Sequence, residues 1–268
     1  MIVFIHIPKT AGTTFYSVVK NNYNSFLRPK IDREPVNYLV QNLKGNNISL
    51  RLPGGYTSAP QMIKVLEEHF ADKLNEVSFI GGHIGYGLHK LTSKDIKYIT
   101  FIRDPKSRLI SDFKEHHKPG RFFYEDLKKN GFRLNDYLKL LKEMRLDNIM
   151  TRQLAGPYDY FLLNRSTVSE SMLNMAIGNS MKVDVYKMEN FDEALYLMKK
   201  NMGWKSLKYT EHNISKQTMI DLEFDSDLLN DVIKFDLILY KELNKNVLNN
   251  FKLNWSQRLE MKLNNIIY

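Results

Sequence analysis

The chain has 268 residues, 43% of them hydrophobic and 26% charged, with a formal net charge of +9 and no cysteine. These proportions suit a globular protein with one sizeable core or two small ones. The missing cysteine excludes disulfides, thiolate nucleophiles and cysteine-bound metal. The basic balance favours anionic partners, but the lysines are scattered and form no basic arm for nucleic acid.

Residues 2–7 are a short, β-branched, mostly apolar run that predicts a buried parallel strand. The segment opens the chain without a basic n-region or a small-residue cleavage site, so it reads as a core strand rather than a secretory signal. No apolar run approaches the roughly 18 residues of a membrane span. A cytoplasmic protein without an integral membrane segment is expected. A glycine-containing loop follows, and then Phe15, Val18 and Val19 at helical spacing. Residues 22–58, rich in Asn, Pro and Gly, predict irregular structure or an excursion from the sheet. A helix is expected over 59–74, strands over 77–80 and 98–102, and a helix starting at Asp104-Pro105, where Asp is a good N-cap and Pro fits the first helical position. Further on, the pattern predicts helices over 134–146, 166–179, 190–202 and 228–243, a strand over 182–186 and a polar loop over 209–217. Strands alternating with helices imply a single α/β domain over 1–268, with a central parallel sheet flanked by helices in three layers.

Two segments carry chemistry. The first is Pro8-Lys9-Thr10-Ala11-Gly12-Thr13-Thr14 at the end of the first strand. A helix that starts from a tight loop offers unpaired N–H groups and a positive dipole end to an anion. Gly12 allows close backbone approach, the threonines add hydroxyls, and Lys9 adds a charge. The order is not that of a Walker A loop, because the lysine precedes the glycine. A plain strand-to-helix turn with a threonine cap is the alternative. The second segment is Phe101-Ile102-Arg103-Asp104-Pro105-Lys106-Ser107-Arg108-Leu109-Ile110-Ser111-Asp112-Phe113. Arg103, at a strand end, has the planar fork that suits a phosphate. Ser111 lies two turns into the helix. A capped helix with a salt-bridged arginine is the alternative here.

The first segment resembles the 5′-phosphosulfate loop of sulfotransferases that use 3′-phosphoadenosine 5′-phosphosulfate (PAPS), with Ala-Gly in the middle where that loop usually has Gly-Ser. The second resembles their 3′-phosphate segment. The likeness is to the carbohydrate branch that includes heparan sulfate 2-O-sulfotransferase. It implies a P-loop-like fold, PAPS as co-substrate, 3′,5′-adenosine diphosphate as product and no metal. It also implies Lys9, Thr10, Ala11, Gly12, Thr13 and Thr14 around the phosphosulfate, and Arg103 and Ser111 on the 3′-phosphate.

A hydroxyl acceptor needs a base, and histidine is the default because its unperturbed form is mostly neutral at pH 7. Of seven histidines, His6 reads as structural and His69 lies on a helix face. His116 and His117 point about 100° apart on one helix. His212 lies in a polar loop. His83 ends a strand, where an α/β sheet exposes its active edge. The segment Gly82-His83-Ile84-Gly85-Tyr86 resembles the family's His-Gly-His, which makes His83 the implied base, puts Gly81 at the first histidine, and leaves His89 as fallback. Asp147 to Gly156 resembles a pocket-forming segment in which Arg152 is either an acceptor contact or a structural ion pair. His212-Asn213-Ile214-Ser215-Lys216 resembles a loop that closes over the nucleotide, which adds Asn213, Ser215 and Lys216 to the donor site. Residues 235–240 resemble a packing helix. Residues 22–76, where the likeness is weakest, are the expected acceptor-side variable region, and the implied acceptor is a saccharide or glycolipid hydroxyl. A nucleotide-dependent phosphotransferase and a non-catalytic anion- or nucleic-acid-binding module are the alternatives.

Overall fold

The computed structural model describes residues 1–28, 47–52, 73–156, 166–209 and 223–267. Six strands form one sheet: β1 (Ile2–Ile5), β2 (Ser25–Leu27), β3 (Ile48–Arg51), β4 (Val77–Gly82), β5 (Lys97–Ile102) and β6 (Val183–Lys187). Their order is β2-β3-β4-β1-β5-β6, and every pairing is parallel. All six C-terminal ends therefore lie along one edge, and β1 sits at the inner position where the order turns, the usual ligand edge of an open α/β sheet.

Alternation along the central strands sorts side chains between two faces. Val3 and Ile5 join Ile80, Tyr98, Ile102, Val183 and Val185 on one face. There they meet helices α5 (Ile149–Ala155), α6 (Glu170–Ser180) and α8 (Ser226–Leu243) through Leu154, Leu173, Ala176 and Leu239. On the other face Phe4, Phe79, Ile99, Phe101 and Tyr186 pack on α1 (Gly12–Lys20) and α7 (Phe191–Met202) through Phe15, Val18, Val19, Leu195 and Met198. The result is the predicted three-layer α/β fold. A further cluster joins α2 (Pro105–His116), α3 (Tyr124–Lys129) and α4 (Leu134–Glu143) to the first half of α8. A last helix, α9 (Trp255–Ile267), covers the second face through Met261.

On the first face α5 and α8 are fastened to each other by polar groups. Asp236 of α8 is fully buried and accepts from the amides of Met150 and Thr151 at 3.2 and 2.8 Å and from the Thr151 hydroxyl at 2.9 Å. It thus caps α5 from a distant helix. Asn148 answers by accepting from the amides of Phe235 and Asp236.

The stretch 22–58 departs from its expectation. Its described parts form β2 and β3, which extend the sheet rather than leave it. Each has only three or four residues, too few to display alternation in the sequence, and the pairing of β2 with β3 and of β3 with β4 supplies the order that local propensity lacks. Most of the helix expected over 59–74 lies outside the described residues, which resume at a 3₁₀ turn, Lys73–Glu76.

Candidate active site

The loop from β1 to α1 is built on two left-handed residues that are not glycine, Lys9 at φ 68° and Ala11 at φ 61°. Such residues cost about 1–2 kcal/mol each and persist where the surroundings enforce them. The enforcing contacts are short. The Thr10 hydroxyl donates to the Ile7 carbonyl at 2.8 Å, and the Phe15 amide to the Ala11 carbonyl at 3.0 Å. Ala11 is the N-cap residue, and no side chain caps the helix. The amides of Gly12, Thr13 and Thr14 are thereby left at the positive end of the α1 dipole. Gly12 lies against His6 so closely that an added Cβ would fall 1.9 Å from His6 Nε2. Thr10 and Thr14 are buried and Thr13 is exposed, so the Thr10 hydroxyl shapes the loop.

The two predicted anion segments meet at Lys9. Its ammonium stands 3.4 Å from Glu115 of α2. Its carbonyl receives Nη1 of Arg103 at 3.4 Å, long for a hydrogen bond. Arg103 follows β5, the neighbour of β1, and is half-buried. Burial lowers its pKa while Glu189 and Asp104 pull the other way. Ser111 is one helical turn before Glu115, on the same side of α2. Glu115 also pairs with Lys118 at 2.7 Å and with Arg121. Burial pushes its carboxyl up, but Lys118, Lys9 and Arg121 outweigh burial and hold it below its usual range. Lys9 shares the single Glu115 carboxylate with Lys118 and Arg121, so an anion of higher charge can compete for its ammonium.

His83 follows β4 and faces the same edge. Its ring centroid lies 4.3 Å from that of His6, which ends β1 and stacks on Phe4. Burial, with Arg51 and Lys9 acting in the same direction, pushes His83 down to about 4, against an opposing pull from Asp112. His6 is held well below its ordinary value by burial first, then by His83, Arg51 and Lys9. Both rings are neutral at pH 7, the state a proton acceptor needs. Gln153 of α5 fixes this corner by donating to the carbonyls of His6 at 3.1 Å and Ile84 at 2.9 Å. Asp112 in turn accepts the Tyr137 hydroxyl at 3.0 Å.

Other predicted positions fall elsewhere. Arg152 is buried, and Nε, Nη1 and Nη2 donate to the Asp147 carbonyl, the Ser166 carbonyl and the Asp147 carboxylate at 2.7, 2.8 and 2.6 Å. Those contacts are of the kind a structural ion pair makes. His89 bonds the Tyr98 hydroxyl at 3.0 Å, near the start of β5 and so towards the opposite edge from His83. His116 and His117 pack among Phe113, Phe123, Phe132 and Tyr137. Asn213, Ser215 and Lys216, like His69 and His212, lie outside the described residues. Among the described residues no group of three His, Asp or Glu side chains is placed to hold a metal ion, and no helix is long and apolar enough to cross a membrane.

The family model described as "Sulfotransferase family" matches residues 1–226, which include every strand and both anion segments. The chain belongs to the sulfotransferase family. No curated protein matches it. Sulfotransferase membership implies an enzyme with PAPS as co-substrate and a hydroxyl as acceptor. The residues present fit that donor: an uncapped helix start and Lys9 for one anionic end, with Arg103 on the adjoining strand for the other. Sequence reasoning on this sulfotransferase missed the place of His6 beside His83, the Gln153 clamp and the cation Arg51. Only His6 carried a local signal, as a polar residue ending an apolar strand.

Proposed function

We propose that this sulfotransferase moves a sulfuryl group from PAPS to a hydroxyl of a saccharide or glycolipid acceptor and releases 3′,5′-adenosine diphosphate. The branch that includes heparan sulfate 2-O-sulfotransferase is the model for the acceptor, on the sequence likeness of its two anion segments and of Gly82 to Tyr86. The observation that carries the donor half is the meeting of both anion segments at Lys9, beside an α1 terminus that no side chain caps.

In this reading Arg103 and Ser111 hold the 3′-phosphate. The amides of Gly12 to Thr14 and the Lys9 ammonium meet the charge that grows on the 5′-phosphate as its bond to sulfur breaks. His83 takes the proton of the acceptor hydroxyl as the new oxygen–sulfur bond forms. Positioning and fixed dipoles supply most of the acceleration, as in phosphoryl transfer.

Labelled PAPS with a panel of saccharides and glycolipids tests the reaction. Transfer that requires His83 supports it, and no transfer to any hydroxyl in the panel counts against the acceptor class. A thermal-shift comparison separates the rivals. Stabilisation by 3′,5′-adenosine diphosphate and not by ATP is expected. The reverse order would favour a phosphotransferase, and salt-sensitive DNA binding without either shift would favour a binding module.

A further inference from the structure

The sheet order lays the charged groups of the active edge in a row. Reading across the C-terminal ends from one side gives Arg28 after β2, Arg51 at the end of β3, His83 after β4, Lys9 after β1 and Arg103 after β5. Lys9 and Arg103 belong to the donor, and His83 to the transferred proton. The two arginines on the far side of His83 have no part in that chemistry.

Arg51 is unusual for a half-buried cation. Among the described residues no carboxylate pairs with it, and its guanidinium lies over the Tyr16 ring, 4.1 Å from the centroid. The platform is rigid. Tyr16 is buried in α1, and its hydroxyl lies where a Cβ on Gly81 would come within 2.8 Å, so residue 81 must stay bare. Arg51 is aligned in the sheet with that same Gly81, two residues before His83. Neighbouring strands lie about 5 Å apart and each residue rises about 3.3 Å, so the Arg51 backbone stands about 8 Å from that of the base, on the next strand, with Arg28 one strand further. Among the described residues the electrostatic neighbours of Arg51 are the Tyr16 phenol and the Arg28 cation. Burial lowers the Arg51 pKa, Arg28 adds to that, and only Tyr16 opposes it. Among the described residues it has no neutralising partner of the kind that partly buried charges ordinarily have.

We infer that Arg51, held on the Tyr16 ring and backed by Arg28, is the subsite for an anionic group on the acceptor, so that the preferred acceptor bears a carboxylate or a phosphate on the β3 side of the hydroxyl that His83 deprotonates. Arg51 supplies a planar fork for that group, and Tyr16 acts as its positioning residue. The inference rests on the reading of His83 and Lys9 as the transfer site and names the substrate class for it.

Calorimetry on the whole chain saturated with 3′,5′-adenosine diphosphate tests this with two matched pairs. One pair is an unsulfated glucuronate-containing tetrasaccharide and its carboxyl-reduced form; the other is glucose 6-phosphate and glucose. Wild type is expected to bind the charged member of at least one pair about ten-fold or more tightly than its neutral partner, the value of one charge-assisted bond. Arg51→Gln is expected to erase that preference and Arg51→Lys to keep part of it. Affinity for 3′,5′-adenosine diphosphate is expected to stay within about two-fold in both variants, which also reports that they fold. Equal binding within both pairs, no binding of either charged member, or a preference that survives Arg51→Gln overturns the inference. So does a loss of nucleotide affinity in Arg51→Gln, which would move Arg51 to the donor site. A wild-type chain that fails to bind 3′,5′-adenosine diphosphate sinks instead the reading on which the inference rests.

Discussion

Helices α1 and α2 start from neighbouring strands at the same edge of the sheet, yet they treat their first amides in opposite ways. At α2 the Asp104 carboxylate accepts from the Ser107 amide at 2.8 Å and Pro105 occupies the first turn. That terminus is closed by its own sequence. At α1 the cap position is Ala11 in a left-handed conformation, no side chain reaches back, and Lys9 stands beside the opening. One helix start serves the fold. The other lacks a cap worth about 1 kcal/mol and holds two strained residues, and in the proposed reading its amides meet the donor.

The sharpest way to break this contrast is to remove the charge at the open end. Lys9→Ala is expected to cut turnover with PAPS about 100-fold or more, the loss of one group that meets charge in the transition state; near-wild-type turnover would refute its role. Closing the open end comes next. Ala11→Asp places a carboxylate where the anion should sit, in a backbone conformation that Asp tolerates. Affinity for 3′,5′-adenosine diphosphate should fall about 100-fold, as for like charges a few Å apart near a surface, and titration calorimetry reads it.

Arg103→Ala tests whether the second segment binds through its arginine rather than through the start of α2. Donor affinity should weaken by about 1.5–3 kcal/mol, and an unchanged isotherm would return Arg103 to a structural role. Acid should act on the α1 side, through the two histidines beneath it. Their folded pKa values lie below the unfolded 6.5, and that of His83 is about 4. The unfolded chain therefore takes the protons first. Stability is full above about pH 6.5 and falls as pH drops towards 4, by about 1.4 kcal/mol per unit for each group. By the same sign, kcat/KM for the free enzyme should hold through pH 6.5 and fall only as pH nears 4, and a loss centred at 6.5 would remove His83 as the base. The smallest effect belongs to the closed end. Asp104→Ala should cost about 1 kcal/mol in denaturant unfolding and leave nucleotide affinity in place.

The contrast was half legible in the chain itself. Asp104-Pro105 announces a capped helix because both residues act locally, and the strand before Arg103 follows from its apolar run. The loop around Gly12 announces an anion site by composition. Its left-handed Lys9 and Ala11 have no signal in residue type, since neither favours that conformation; the bonds of Thr10 to Ile7 and Phe15 to Ala11 accompany it, with His6 packed on Gly12. The pairing of His6 with His83 depends on β1 lying beside β4, a long-range fact that no spacing encodes. Arg51 stayed hidden because β3 is a four-residue strand inside a stretch rich in Asn and Gly. Arg152 shows the converse: in a suggestive segment, all three of its guanidinium nitrogens bond within the chain, which its sequence neighbours do not announce.

The left-handed loop has one more consequence. Its shape is enforced by bonds inside the chain, Thr10 to Ile7 and Phe15 to Ala11, so it is preorganised, and binding need not supply the ordering entropy of a floppy loop. Preorganisation does not distinguish the donor from what remains after transfer, because both present a phosphate to the same amides. The departing nucleotide should therefore be a strong inhibitor, and its release a natural candidate for the slow step of turnover.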